Sequence, residues 1–476
     1  MLSLRRISTS IFQATTVLLL MKVPAAVVAQ EVPREAKPLP ELQQHFVDLA
    51  FGMFIHYNIP TYMEDDWADP DASPAIFNPK KLNTDQWAAA AKSANMSYGC
   101  LTTKHHSGFA IWDTKTTPYN VMNSPLKKDV VREYVNSFRK AGLGVMLYYS
   151  ILDTHHKLRQ GHITPAHIQF VKDQLTELLT NYGKIEALII DGWDAPWSRI
   201  SYDTVPFEEI YRLIKTLQPE CLVMDLNSAK YPGDFLFYSD IKSYEQNAGQ
   251  HISKENNKLP AMSCLPLQAN WFWKSSFPQT PVKDADKLVN DNLVPFNSAY
   301  CNFMLNVAPN RDGLIDENAL VALKKMGELY KRPTHLPKVP VATAPIISSN
   351  LAKKCAVNGS WSNDMWLMDF AVDDDYGTNW LSHPSVKQPW LEFDLGRETA
   401  FNTIVITENS PNVSAYSIEY FSGGKWYPLL NGSQRERIKV NRFDRVWGSK
   451  IRFNMKDFRK APEIAEFGVY NERRRM

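Results

Sequence analysis

The sequence predicts an α/β fold, a (β/α)8 TIM-like barrel, followed by an all-β sandwich domain. Three observations support this prediction. Between about residues 49 and 329, short apolar runs alternate with amphipathic helical patterns in nearly eight units. Prolines then interrupt a short stretch without helical periodicity, between Pro333 and Pro345. The remaining segments alternate polar and apolar residues between Gly or Asn-Gly turns, which is typical of an antiparallel β-sandwich.

The apolar runs of the first part predict parallel strands that are buried on both faces. These strands are predicted at 49–55, 98–103, 144–149, 187–190, 221–224, 240–244, 261–265 and 300–305. The sixth and seventh have the weakest patterns. A glycine-rich loop does not follow the first strand, which argues against a dinucleotide-binding fold.

Capping residues and apolar periodicity predict the helices between these strands. The helices are predicted at 83–95, 129–140, 164–179, 207–217 and 315–329. Asn83 and Thr164 are suitable N-caps, and Pro165 occupies the first helical position that proline favours.

The first 29 residues have a basic start, an apolar middle and small residues that end at Ala29. This pattern predicts a secretory signal peptide, cleaved after Ala29, and a secreted or periplasmic protein. Lys22 interrupts the apolar run, so a retained anchor is the alternative. We expect three parts: the signal peptide (1–29), the barrel domain (30–338) and the β-sandwich domain (339–476). The sequence predicts no membrane span, because its apolar runs fall short of roughly 20 residues.

Charge and cysteine usage exclude several classes of protein. The chain has 53 basic and 51 acidic residues, and three of the basic ones lie in the predicted signal peptide. The remainder is close to neutral, so we expect no nucleic-acid partner. The five cysteines are scattered and form no CxxC pair, which predicts neither a disulfide framework nor a zinc site.

Two acidic residues at predicted strand ends are candidates for catalysis. The stretch Ile185-Glu-Ala-Leu-Ile-Ile-Asp-Gly-Trp-Asp194 reads as a buried strand that ends on Asp191, where barrels of this kind place their active sites. Glu245 follows the sixth predicted strand. Two facing carboxyl groups are what glycoside cleavage requires. Asp194 and Asp225 are rival candidates, Asp191 could instead cap a turn, and Glu245 could lie at the surface.

Histidines and tryptophans near other strand ends predict a sugar-binding pocket. His56, His105 and His106 follow the first two strands, and the pair could bind sugar hydroxyls or a metal ion. Adjacent strand residues point to opposite faces and the sequence has no HExxH motif, so hydrogen bonding is favoured. Trp271 and Trp273 are candidates for stacking on a sugar or for packing in the core.

Several motifs together resemble the retaining α-L-fucosidases of glycoside hydrolase family 29. The resemblance covers about residues 40–330 and rests on Phe51-Gly-Met-Phe-Ile-His56, Leu101-Thr-Thr-Lys-His-His-Ser-Gly-Phe109, Trp112-Asp113, Tyr148-Tyr-Ser150, Ile190-Asp-Gly192 and Leu305-Asn-Val-Ala-Pro-Asn-Arg-Asp-Gly313.

This resemblance implies a role for individual residues. Asp191 would be the nucleophile that forms a covalent fucosyl-enzyme intermediate. The remaining implied residues would bind fucose: His56, His105 and His106 through its hydroxyls, Tyr149 near the nucleophile, and Trp271 against the C5 methyl group. Asp66-Trp67 stands where the family usually has Glu-Trp, so this contact would be one methylene shorter. The acid/base position varies in the family, and Glu245 is our assignment. No metal or other cofactor is expected in catalysis.

The tail, about 348–473, resembles a coagulation-factor 5/8 type C (discoidin-like) module. The resemblance rests on Asn350-Leu-Ala352, Asp373-Asp-Asp375, Thr378, Trp380, Trp390-Leu-Glu-Phe-Asp-Leu-Gly396 and Ile464-Ala-Glu-Phe-Gly-Val-Tyr470. It implies sugar binding or a structural calcium ion, for which the acidic run offers oxygen ligands. The alternatives are a solvated loop and a module that only braces the barrel.

We therefore expect an exo-acting, retaining α-L-fucosidase whose partners are fucosylated oligosaccharides or glycoproteins. The alternatives are a related exo-glycosidase acting on another sugar such as α-galactose, and a glycan-binding protein that does not catalyse.

Overall fold

The computed structural model describes residues 36–334, 336–340, 344–363, 367–433 and 435–473. The predicted signal peptide, 1–29, lies outside these residues. A barrel of parallel strands and an antiparallel β domain follow one another along the chain, which confirms the predicted fold class.

Eight parallel strands form the barrel. They are β1 to β8, at Phe51–Ile55, Tyr98–Lys104, Gly144–Ser150, Ala187–Asp191, Leu222–Asp225, Lys242–Glu245, Ala261–Pro266 and Cys301–Asn306. Their order is β5-β4-β3-β2-β1-β8-β7-β6. The two end strands meet through the residues before β6: the amide of Asp240 donates to the carbonyl of Val223 at 2.8 Å, and the amide of Asp225 donates to the hydroxyl of Ser239 at 3.1 Å.

Helices surround the barrel, and one of them covers the end at which the strands begin. They are α1 to α8, at Leu39–Asp48, Thr84–Ser93, Val130–Lys140, Pro165–Asn181, Phe207–Leu217, Ala285–Lys287, Val294–Ser298 and Glu317–Leu329, with a π-helical stretch, Leu288–Leu293, between α6 and α7. Asn83 and Thr164 cap α2 and α4 through their side chains, as predicted. Helix α1, which was not predicted from the sequence, packs Leu42 and Phe46 against the barrel interior. Among the described helices, none is long and apolar enough to cross a membrane.

Alternate side chains of the strands fill the barrel interior. The strand residues of this inner core are Phe54, Tyr98, Cys100, Met146, Tyr148, Ala187, Ile189, Leu222, Met224, Met262, Cys264 and Met304. His56, Asp191 and Asn306 each come two positions after a member of this core. Strand alternation therefore turns all three toward the interior at the carboxyl-terminal mouth, where barrels of this architecture bind their ligands.

The C-terminal domain is antiparallel and has a hydrophobic core of its own. Its strands are β9 to β15, at Ala356–Gly359, Trp380–Leu381, Trp390–Glu408, Val413–Ser422, Lys425–Gly432, Ile438–Phe458 and Glu463–Tyr470. They pair in the order β10-β15-β11-β14-β12-β13, and β9 pairs with β11. Register shifts interrupt the β11–β14 ladder, for example between Asp394 and Thr399, and such irregularities let a long strand bend around a core.

The β domain packs directly on the barrel, within one compact unit that starts at Lys37. The amide of Tyr238 donates to the carbonyl of Ile346 at 2.8 Å. Tyr376 of the β domain packs against Tyr231 of the barrel, with ring centroids 5.6 Å apart. Hydrogen bonds and aromatic packing therefore both fix this interface.

Candidate active site

Asp191 lies at the carboxyl end of β4 and is almost completely buried. The hydroxyl of Tyr148 donates to its Oδ2 at 2.7 Å. The side-chain amide of Asn227 donates to its Oδ1 at 2.9 Å. His106 approaches the same carboxylate, with Nε2 3.8 Å from Oδ2. Each carboxylate oxygen therefore has a fixed donor, and the group is held in one orientation.

Glu245 ends β6 and lies half-buried in the same mouth. Burial and the negative charge of Asp191 raise the pKa of Glu245 to about 7, while hydrogen bonds from Trp271 and Asn247 oppose this shift. Both predicted carboxyl groups therefore lie at strand ends in the mouth of the barrel, where the charge of Asp191 adds to the effect of burial on Glu245. Glu245 carries a proton at a pH where an ordinary glutamate has lost it.

His56, His105 and His106 form the side of the pocket and are buried. Asn306 Oδ1 contacts Nδ1 of His56 at 2.7 Å, and Ser150 Oγ contacts Nδ1 of His106 at 2.8 Å. Burial lowers the pKa of His56 to about 3 and that of His106 to about 4. Burial, with its two histidine neighbours, also holds the pKa of His105 well below its usual value. All three imidazoles are neutral at pH 7.

The two adjacent histidines do not point apart, as strand geometry had suggested. The strand ends at Lys104, and the rings of His105 and His106 lie 3.9 Å apart by centroid. The register of β2 against β3 shifts between Thr102 and Lys104, so Lys104 turns outward and the histidines after it both face the pocket. Nδ1 of His105 is buried and has no hydrogen-bond partner among the residues that the structure describes.

Two tryptophans form an exposed rim above His106. Trp67 and Trp197 are 48% and 42% exposed, and their rings lie 5.4 Å apart. The centroid of His106 is 4.8 Å from Trp67 and 4.4 Å from Trp197. Exposed indoles at the entrance of a pocket are suited to stacking on a sugar ring.

Asp66 lies beside the pocket, where its carboxylate fixes the loop after β7. Its oxygens accept from the amides of Trp271 at 3.2 Å and Phe272 at 3.4 Å, and from Lys274 at 2.9 Å. Trp271 in turn packs on His56, with centroids 5.0 Å apart. Asp66 therefore positions the predicted methyl-binding residue, Trp271.

Tyr149 requires a correction, because it does not lie near the nucleophile. Its side chain points out of the barrel, and its hydroxyl donates to Gln174 at 2.8 Å. The tyrosine that contacts Asp191 is its neighbour Tyr148. Adjacent residues on a strand face opposite sides, so the prediction was wrong by one position.

The rival carboxylates have other partners. Asp194 pairs with Lys230 outside the pocket. Asp225 follows Met224 of the inner core, so it points outward, and it accepts from the hydroxyl of Tyr202 at 2.7 Å. Of these three carboxylates, Asp191 is the one whose charge raises the pKa of Glu245.

Four residues of the site escaped the sequence analysis as individual candidates. They are Tyr148, Ser150, Asn227 and Asn306. Strand alternation could have found Tyr148 and Asn306, because each shares a face with inner-core residues. Asn227 lies in a loop, where the sequence carries no comparable signal.

The three carboxylates of the acidic run in the C-terminal domain, where a calcium ion was predicted as one alternative, have partners within the protein. Asp374 accepts from Lys353 at 2.7 Å, Asp373 accepts from the hydroxyl of Thr378 at 2.8 Å, and Asp375 accepts from the amide of Gly377 at 2.9 Å. Across the described ranges, no group of three or more His, Cys, Asp and Glu side chains could hold a metal ion. Calcium binding and sugar binding by this domain both stay predictions.

A buried carboxylate and a carboxyl group whose pKa is raised, set among histidines and tryptophans at the mouth of a (β/α)8 barrel, are typical of a glycoside hydrolase. Comparison with known families supports this class. Residues 21–332 match the alpha-L-fucosidase family model, and residues 356–467 match the F5/8 type C domain. The chain therefore belongs to the α-L-fucosidase family, glycoside hydrolase family 29, and carries an F5/8 type C domain.

Individual relatives agree with this assignment. Alpha-L-fucosidase 1 of Arabidopsis thaliana is 27% identical over 469 residues, which cover 92% of this chain and 88% of the relative. A solved glycoside hydrolase 29 family member from an unknown rumen bacterium shares the fold, with a TM-score of 0.53, 24% identity, and coverage of 92% and 77% of the two chains. A Ruminococcus gnavus GH29 fucosidase, solved in complex with fucose, gives a TM-score of 0.50, 21% identity, and coverage of 92% and 96%.

Proposed function

We propose that this enzyme removes terminal α-L-fucosyl residues from oligosaccharides or glycoproteins by a retaining double displacement. The observation that carries this proposal is the pairing of Asp191 with Glu245. Asp191 is oriented by two donors, whereas Glu245 holds a proton because of its burial and the charge of Asp191. Two carboxyl groups with different proton states are what a retaining mechanism requires.

In the first step, a carboxylate oxygen of Asp191 attacks the anomeric carbon. The bond from this carbon to the glycosidic oxygen breaks, and Glu245 transfers its proton to the departing oxygen. The product is a fucosyl ester of Asp191. Forming this ester removes the negative charge that raised the pKa of Glu245.

In the second step, Glu245 acts as a base. Its carboxylate takes a proton from water, the water oxygen attacks the anomeric carbon, and the ester bond to Asp191 breaks. Fucose leaves with its original anomeric configuration. Glu245 regains its proton as the charge of Asp191 returns. Both groups are then in the protonation states with which the reaction began.

The histidines support sugar binding through their neutral state. A neutral imidazole can donate or accept a hydrogen bond with a sugar hydroxyl. It also places no positive charge beside the oxocarbenium-like transition state of glycoside cleavage. His105, with its unpartnered buried Nδ1, is the strongest of the three candidates.

The floor of the pocket supports exo action. Tyr148 and Ile189 belong to the packed inner core directly beneath Asp191, so a glycan can enter only from the mouth. A terminal residue suits such a pocket better than an internal one. The basic and apolar pattern of residues 1–29 supports a secreted or periplasmic location.

The test is hydrolysis of an aryl α-L-fucoside by the wild type, Asp191→Ala and Glu245→Ala. We expect turnover by the wild type and a loss of several orders of magnitude in Asp191→Ala. Azide should restore turnover in Glu245→Ala, because it can replace water in attacking the anomeric carbon of the fucosyl-enzyme intermediate. This second step inverts the configuration of that carbon. A slow fluorinated fucoside should label Asp191 covalently, which mass spectrometry of the peptide would identify.

Other outcomes would support the alternatives. Normal activity in Glu245→Ala would move the acid/base role to another residue. Turnover of an aryl α-galactoside in preference to the fucoside would indicate a different sugar. A wild type that binds fucosylated oligosaccharides but cleaves neither them nor aryl fucosides would favour a glycan-binding protein.

A further inference from the structure

The acidic run of the β domain contacts a lysine of the barrel. Asp374 Oδ2 lies 3.4 Å from Nζ of Lys230 and 2.7 Å from Nζ of Lys353. Lys230 belongs to the barrel, whereas Lys353 belongs to the β domain. The side chain of Asp374 is only 12% exposed, so solvent screens this contact weakly compared with a surface ion pair.

Lys230 connects two loops that flank the candidate nucleophile. It ends the short 3₁₀ turn Ser228–Lys230, which begins directly after Asn227, the residue that donates to Asp191. Lys230 also pairs with Asp194 of the loop after β4. One ammonium group therefore joins the loop after β4, the loop after β5 and the β domain.

A second set of contacts holds the same turn. The hydroxyl of Tyr202 donates to Asp225 Oδ2 at 2.7 Å, and Asp225 Oδ1 accepts from the amide of Asn227 at 3.0 Å. The ammonium of Lys230 lies 5.6 Å from the ring centroid of Tyr202 and 4.7 Å from that of Tyr231. Lys230 thus also packs on Tyr202, whose hydroxyl holds the carboxylate that accepts from the amide of Asn227.

We propose that the β domain is a positioning element of the active site, in which Asp374 acts through Lys230 to hold Asn227 against Asp191. Asp374 and Lys230 are positioning residues and do not touch the substrate. This inference rests on the proposed function, because it concerns the orientation of the same nucleophile. A small displacement of a positioned group can lower a reaction rate strongly.

The variant Asp374→Asn tests this proposal in the full chain. It keeps the shape of the side chain but removes the charge that Lys230 meets. We expect kcat on an aryl α-L-fucoside to fall about tenfold with a smaller change in KM, because orientation of the nucleophile is lost while sugar contacts remain. Asp375→Asn is the matched control: this neighbour contacts the turn of its own domain, so kcat should stay near the wild-type value.

A double-mutant cycle separates positioning from general stability. If Asp374 acts through Asn227, the variant Asp374→Asn combined with Asn227→Ala should be no slower than Asn227→Ala alone. Full additivity of the two losses would overturn the proposal. Lys230→Met removes the same contact by changing its partner in the barrel. It should reproduce the loss of kcat even if an Asp374 variant folds poorly.

Hydrogen exchange gives a readout that does not depend on catalysis. In Asp374→Asn, amides in 192–200 and 226–231 should exchange faster than in the wild type and in Asp375→Asn. Unchanged exchange and unchanged kcat in a folded Asp374→Asn protein would overturn the positioning role alone. An inactive wild type with this change in exchange would instead contradict the proposed function and leave the contact between the domains supported.

Discussion

Tyr148 donates a 2.7 Å hydrogen bond from its hydroxyl to Oδ2 of Asp191 on the neighbouring strand. In the β3–β4 register, Tyr148 lies opposite Ile189, and the length of its ring carries the hydroxyl to the strand end. Burial and the charge of Asp191 hold the pKa of Tyr148 well above its usual value. The hydroxyl therefore stays protonated, and can donate, at neutral pH and above it.

The variant Tyr148→Phe should lose about 10²-fold in kcat, because it removes one of the two side-chain donors that orient Asp191. Tyr149→Phe is the matched control. Its hydroxyl contacts Gln174 and Lys104 outside the barrel, so kcat should stay near the wild-type value. Steady-state kinetics on an aryl fucoside measures both. Equal losses in the two variants would contradict the orientation shown by the structure.

Activity should decline at alkaline pH because of Glu245. Its pKa is raised to about 7, and the first step needs the protonated form. We therefore expect kcat/KM to fall as pH rises through about 7, by about tenfold per pH unit. In Asp191→Asn, where the raising charge is absent, the carboxyl of Glu245 should titrate at lower pH. Carbon NMR of labelled glutamate measures this shift, and an unchanged titration would contradict the interaction.

Much of the fold could be predicted from the sequence, because strand and helix patterns alternate regularly. Helices α1, α6 and α7 were not predicted, and further errors lie at the ends of the barrel strands. The last barrel strand was predicted from Tyr300, but this residue has a φ of 58° and the strand begins at Cys301. The sixth was predicted from Asp240, whose carboxylate instead accepts from the amide of Val223 on β5. Both differences depend on tertiary contacts.

The site was predictable where a residue type coincided with a strand end, as for Asp191 and Glu245. It was not predictable where the role depends on which neighbour a side chain reaches. Asp66, whose predicted contact with the sugar stays a prediction, also fixes the loop of Trp271. Asp374, which belongs to the run that was predicted to offer calcium ligands, also contacts Lys230. These contacts join residues that are far apart in the sequence, so local sequence patterns do not predict them.

Removing Lys104 should destabilise the protein strongly. Its Nζ lies 3.0 Å from Asp153, and both side chains are completely buried. Lys104→Met would leave the buried Asp153 carboxylate without its lysine, with only His156 as a side-chain partner, and breaking a buried ion pair in this way costs about 3–5 kcal/mol. Lys81→Met is the matched control, because its pair with Asp312 is exposed and should contribute less than about 1 kcal/mol. Urea unfolding measures both.

The pair of Lys104 and Asp153 also makes the free energy of unfolding depend on pH in the acid range. Lys104 and hydrogen bonds from His156 hold the pKa of Asp153 below its usual value despite burial. A depressed carboxylate pKa stabilises the fold above the unfolded pKa and loses this contribution as pH falls through the folded one. We therefore expect the wild type to keep this contribution at pH 5. A stability difference between wild type and Lys104→Met that vanishes by pH 5 would contradict this.

Trp197 should contribute to recognition of the leaving group. It sits at the tip of a loop closed by the hydrogen bond from the Asp194 amide to the Ile200 carbonyl, at 2.7 Å, and its ring packs on His106. Trp197→Ala should raise KM for a fucosylated oligosaccharide roughly 3- to 10-fold, since a stacking surface is lost. The leaving group of α-L-fucosyl fluoride is fluoride and not a sugar that Trp197 could stack on, so the KM of this substrate should change little. Trp361→Ala, an exposed tryptophan of the β domain, is the matched control and should affect neither substrate. An equal rise for both substrates in Trp197→Ala would instead place Trp197 against the fucosyl ring.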